Sequence, residues 1–180
     1  MRNKMRNKIK KNRWISWILT LAMLCSLLQT SAVPAFAADA AGSGVDINGA
    51  TTLTDDTNPI ATTGVYKISG TRQNPVKITA TGKVVLVLDN VTITTQTSPI
   101  ELADGAKVTL VVPDGTNNTL ICNATKVTDA NGGKTAGILV PENASLTIDK
   151  PENGKGNGEL RVKAGVGGAG IGGGTGAGYT

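Results

Sequence analysis

Residues 165–180 read GVGGAGIGGGTGAGYT, and the role of their glycines decides the fold. Gly168-Ala169-Gly170-Ile171-Gly172-Gly173 meets the spacing G-x-G-x-x-G. In a dinucleotide fold that spacing serves a strand, a tight turn and the N-terminus of a helix, with an acidic residue about 20 positions on. Here GTGAGYT (174–180) follows, which starts no stable helix, and no acidic residue comes after it. A nucleotide cradle is therefore excluded, and a flexible linker is the reading that composition alone would give. An internal match argues for a third role. GGAGIGGG (167–174) aligns with KTAGILVP (134–141), placing Ala169-Gly170-Ile171 on Ala136-Gly137-Ile138 at an offset of 33 residues. The run then reads as one more winding of a regular structure, with Ile171 pointing inward and small residues letting the backbone turn.

Two further self-matches extend this. PIELADGAKVTLV (99–111) lies over GILVPENASLTID (137–149) at an offset of 38, and TGKVVLVLDN (81–90) lies over GAKVTLVVPD (105–114) at an offset of 24. Short β-branched runs occur at 65–69, 75–79, 83–93, 107–112, 118–122, 136–140, 145–148 and 159–163. Turn clusters separate them, among them Asp104-Gly105 and PDGTNN (113–118). Many short strands without helical spacing predict an all-β protein. Units returning at offsets of 24 to 38 residues predict a solenoid, here a parallel β-helix whose equivalent side chains stack in columns ~4.8 Å apart. A β-sandwich is the alternative, but it favours hairpins and large core aromatics, and this chain is poor in both.

The first residues stand apart. MRNKMRNKIKKNR carries seven bases and no acid, WISWILTLAMLCSLL is apolar, and QTSAVPAFA ends in Ala35-Phe36-Ala37. This predicts a secretory signal peptide over 1–37, cut after Ala37, with a flexible segment or cap over 38–60 and β-helix repeats over 61–180. Seven of the 18 basic residues precede Ala38 and all 13 acidic ones follow, so the remaining chain has 11 bases against 13 acids, formally −2. No basic footprint for nucleic acid survives, and no membrane segment is expected after cleavage. Of the two cysteines only Cys122 remains, so no internal disulfide can form, and a small buried apolar role is expected for it.

Together KVVLVLDNVTI (83–93), GAKVTLVVPDGTNNTL (105–120), AGILVPENASLTI (136–148) and GVGGAGIGGG (165–174) resemble secreted surface proteins of clostridial and other Firmicute bacteria. Those proteins carry GAGIGGG-type repeats and a carbohydrate-binding label. The resemblance implies a right-handed β-helix and, from a related group, binding of acidic polysaccharide with calcium. In such relatives the glycine element is followed by another strand, so the β-helix is expected to be incomplete at the C-terminus.

Catalysis finds little support in the residues. Glycoside hydrolysis needs two carboxylates held about 5–9.5 Å apart. Asp55-Asp56, Asp89, Asp104, Asp114, Glu142 and Asp149 all sit in turn-like contexts, where Asp caps tight turns. A lyase needs a base and an anion-stabilising cation, and only Arg72 and Arg161 are available beyond the leader. The absence of His excludes His-based triads and His metal sites. Aromatic stacking on sugars is limited to Tyr66 and Tyr179. The reading is an exported, non-catalytic surface module that binds polysaccharide or cell wall through carboxylates, amides and hydroxyls. Asp89, Asn90, Asp104 and Asp114 are the candidate contacts, with calcium as a candidate bridge. A purely structural spacer is the alternative.

Overall fold

The computed structural model describes residues 44–54, 59–127 and 132–174. Gly42–Thr180 is a compact unit of its own. The expected leader over 1–37, Asp55, Asp56 and Tyr179 lie outside the described residues.

The β-branched runs become strands because side chains branched at Cβ suit a pleated, half-buried surface. They are β1 (Thr51–Thr52), β2 (Gly64–Arg72), β3 (Val76–Ile78), β4 (Lys83–Thr95), β5 (Ile100–Leu102), β6 (Lys107–Val111), β7 (Asn117–Cys122), β8 (Ile138–Leu139), β9 (Ser145–Asp149), β10 (Glu159–Lys163) and β11 (Ile171–Gly172). No helix occurs among the described residues. One sheet runs β1-β2-β4-β6-β9. Its long strand β4 also pairs with β7, which in turn pairs with β10. The second sheet runs β11-β8-β5-β3. Every strand pairing among the described residues is parallel, and neither sheet closes on itself. The hairpins on which a sandwich would rest do not occur among them.

The three internal offsets are ladder registers. Offset 24 sets Leu86 beside Leu110 and Val76 beside Ile100. Offset 38 sets Leu110 beside Ile148 and Ile100 beside Ile138, and offset 33 sets Ile138 beside Ile171. Columns of apolar side chains result, and Ile68, Leu86, Leu88, Leu110 and Leu120 of one sheet share a single core with Ile78, Ile100 and Ile138 of the other. All eight are fully buried, each worth about 1.5–3 kcal/mol of apolar transfer. Cys122 is buried as a free thiol.

Ile171 lies on the expected face but is not enclosed. It stands in the column of Ile138, but its side chain is 44% exposed, as Ile148 is at 47%. Both belong to the outermost strand of their sheet, so among the described residues one flank of each has no neighbouring strand. The glycines around Ile171 serve close backbone approach. A Cβ on Gly168 would lie 2.2 Å from the Thr135 carbonyl oxygen, and one on Gly174 would lie 2.2 Å from that of Gly133. Ile138 N–H donates to Gly170 O at 2.9 Å and Val140 N–H to Gly172 O at 2.9 Å. The run is laid backbone against backbone on 133–140.

The first sheet changes register midway. Ser69 lies beside Asp89 but Gly70 beside Val91, which leaves Asn90 as a bulge with φ of 54°. The β4–β6 offset of 24 becomes 27 between β4 and β7, so three extra residues are accommodated in the 112–116 connection. Likewise the β6–β9 offset of 38 becomes 42 between β7 and β10, across the 150–158 loop. The buried Asn118 ties these departures together. Its Oδ1 accepts from Val91 N–H at 3.0 Å, while its Nδ2 donates to Thr116 Oγ1 and Glu159 O.

The described part of 38–60 is packed against the sheets. Val45 bridges to Pro151, and Val45 and Ile47 cover Val85, Val87 and Val111 on the outer face of the first sheet. Further along, β1 pairs with β2, and Leu53 and Ile60 are buried in the core.

Candidate functional site

The outer face of the first sheet, where β4 bulges, carries a shallow concavity of about 580 Å³. Strand alternation sends Lys67, Val87 and Asp89 to this face, away from the core residues Ile68, Leu86 and Leu88. The segment Ile47–Ala50 forms one wall and Pro113–Thr116 another, with Asn90 between. Each wall turns tightly on a left-handed glycine, Gly49 at φ of 72° and Gly115 at 71°. Asp46 accepts from Asn48 N–H at 2.9 Å, which fixes the first of these turns.

Of the sequence candidates, Asp89, Asn90 and Asp114 line this concavity together. Their roles within it differ. Asp114 accepts three backbone N–H bonds from the 150–158 loop: Lys155 at 2.7 Å, Gly156 at 2.9 Å and Asn157 at 3.1 Å. These donors, Lys155 first, hold its carboxyl below the ordinary value. Asn157 Oδ1 reciprocates by accepting from Gly115 N–H at 3.1 Å. Asn90 accepts from Asn117 N–H at 3.0 Å and donates to Asp89. Asp89 sits 3.7 Å from the Lys67 ammonium, with both side chains 39% exposed. Asp114 and Asn90 therefore shape the wall, whereas Lys67, Asp89 and Asn48 are the other polar residues that line the concavity. An exposed ion pair is worth little to the fold and exchanges partners at small cost.

Asp104 is not part of this arrangement. It lies in the turn between β5 and β6, where Asn143 Nδ2 donates to it at 3.3 Å, outside the lining of the concavity. Offset 38 pairs those two turns in sequence, so Asp104 belongs to a different corner. Tyr66 packs against the core and donates its hydroxyl to Thr62 O at 3.1 Å, which leaves the concavity without an aromatic platform. Arg72 is buried and donates to Leu53 O, and exposed Arg161 pairs with Glu159 at 2.6 Å, so neither lines the concavity. The four candidates do not fit a calcium shell of six to eight oxygens. Asp104 is elsewhere, Asp114 is engaged by three N–H groups, and no three His, Cys, Asp or Glu side chains come together among the described residues.

What the concavity offers is amphipathic. Ile47, Ala50 and Pro113 contribute apolar surface, beside the amide of Asn48, the ammonium of Lys67 and the carboxylate of Asp89. A polyhydroxylated ring with apolar C–H faces matches that chemistry. Residues 54–173, about two thirds of the chain, match the family described as carbohydrate-binding domain-containing protein. The chain belongs to the carbohydrate-binding domain-containing protein family. No curated protein and no solved structure matches it. The family match covers Lys67, Asp89, Asn90 and Asp114 but begins after Asn48.

Asn48, Lys67 and Asn118 went unrecognised in the sequence reading. Asn48-Gly49 is a turn signal that could have been seen. Lys67 follows only from the β2–β4 offset of 20, which no sequence self-match revealed.

Proposed function

We propose that this chain is an exported, non-catalytic module that binds polysaccharide at the cell surface, with the concavity around Lys67, Asp89 and Asn90 as its contact. The observation that carries the reading is one concavity lined by the polar residues Asn48, Lys67 and Asp89 and by the apolar Ile47, Ala50 and Pro113, in a member of a carbohydrate-binding family. The two parallel sheets are read as successive windings of a right-handed β-helix, with residues 1–37 removed as a signal peptide. The acidic residues support a binding role over catalysis, since Asp114 holds a loop and Asp104 a turn. Binding is proposed to need no calcium.

The test is a glycan array probed with residues 38–180, with and without EDTA. Retention on a neutral or acidic polysaccharide, unchanged by EDTA and weakened about tenfold by Lys67→Ala or Asn48→Ala, is the expected result. Retention on none would favour a structural spacer, and release of reducing or unsaturated sugar would favour an enzyme.

A further inference from the structure

The 150–158 loop between β9 and β10 lies outside the lining of the concavity, yet it holds both walls. At one end Lys150 O accepts from Val45 N–H at 2.9 Å and Glu152 N–H donates to Val45 O at 2.8 Å. This is a parallel bridge at the root of the Ile47–Ala50 wall. At the other end Asp114 gathers the N–H groups of Lys155, Gly156 and Asn157, and Asn157 Oδ1 accepts from Gly115 N–H. Neither contact leaves room for an added side chain. A Cβ on Gly44 would lie 2.2 Å from Pro151 O, and one on Gly158 would lie 2.3 Å from Pro113 O. Between these ends the loop is braced on itself. Gly154 N–H donates to Pro151 O at 2.9 Å, and the Lys150 ammonium donates to Gly154 O at 2.7 Å.

We propose that this loop is a strap that joins the two walls of the concavity, and that Asp114 and Asn157 act through it as positioning residues for the glycan. The 44–50 segment is fixed downstream by β1 on β2 and upstream by the bridge at Val45, so the strap sets its upstream end. The 113–116 segment is fixed to the same strap by Asp114 and Gly115. Walls held at a set spacing before binding need less ordering when a ligand enters, which raises affinity without any new contact. Releasing Asp114 loosens the strap and, through it, the distant Val45. The effect on affinity rests on the glycan reading above, whereas the joining of the walls does not.

Amide hydrogen exchange followed by NMR on residues 38–180 tests the strap without any ligand. Asp114→Ala is expected to speed exchange at Val45 and Glu152 at least about tenfold, with Leu86 and Leu110 in the core unchanged. Gly44→Ala drives a Cβ into the Pro151 carbonyl and is expected to speed Gly156 and Asn157 in return, since coupling is reciprocal. Lys155→Ala keeps its backbone N–H and is expected to change neither end. Acceleration confined to 155–157 in Asp114→Ala, or spread evenly to Leu86 and Leu110, would overturn the strap. On the polysaccharide that the wild-type chain retains, Asp114→Ala and Asn157→Ala are expected to bind at least about threefold more weakly, and Lys155→Ala as the wild type does. Undiminished binding by Asp114→Ala would refute the positioning role. Retention of no polysaccharide by the wild type would refute the glycan reading instead, and the exchange result decides the strap by itself.

Discussion

Asp114 shows how one side chain can belong to a site without being free to serve it. Its carboxylate gathers three backbone N–H groups of the neighbouring loop, and those donors favour the charged form. A carboxyl held below its ordinary value stabilises the fold above that value and loses the contribution as pH falls through the lowered one. Asp114→Asn is therefore expected to flatten the acid limb: between about pH 5 and pH 2 its melting temperature falls less than that of the wild type. Equal falls would show that the loop is held by other means. The sequence placed Asp89, Asn90 and Asp114 near one another because offset 24 sets Asp114 on Asn90 and Pro113 on Asp89. It could not separate wall from contact, since hydrogen bonds to residues 41–43 positions away leave no trace in local pattern. It also grouped Asp104 with them, although equal turn chemistry at a different corner produces the same Asp-Gly signature.

Strands were more legible than connections. Runs such as ELRVK (159–163) and KVTLV (107–111) became strands, and offsets 24, 33 and 38 became registers, because parallel pairing stacks like residues. The bulge at Asn90 and the extra residues at 112–116 and 150–158 interrupt that likeness, so the pairings of β2, β7 and β10 were hidden. The glycine run makes the most specific demand on sequence. Gly168→Ala would force a Cβ into the Thr135 carbonyl and is expected to cost about 1–3 kcal/mol. Gly170→Ala meets no atom within 4 Å at a backbone angle open to alanine, and is expected to change stability by less than about 0.5 kcal/mol. Urea unfolding of the two variants decides it. A linker would tolerate both changes equally.

For the molecule as a whole, the parallel sheets supply a rigid floor, and the function proposed depends on what crosses it. The 44–50 segment covers Val85, Val87 and Val111 and contributes Asn48 to the concavity, a long-range arrangement that composition could not announce. Ile171 shares the face of Ile138 as expected but is not enclosed, because burial in a stacked column requires a neighbour on both sides, and among the described residues β11 has one. The most direct measurement is a titration of ¹⁵N-labelled residues 38–180 with the polysaccharide retained on the array, followed by amide chemical shifts. Shifts confined to Asn48, Gly49, Lys67, Asp89, Asn90, Gly115 and Thr116 are the expected result. Shifts centred on the glycine run at 165–174, or none at saturating polysaccharide, would contradict the placement of the site.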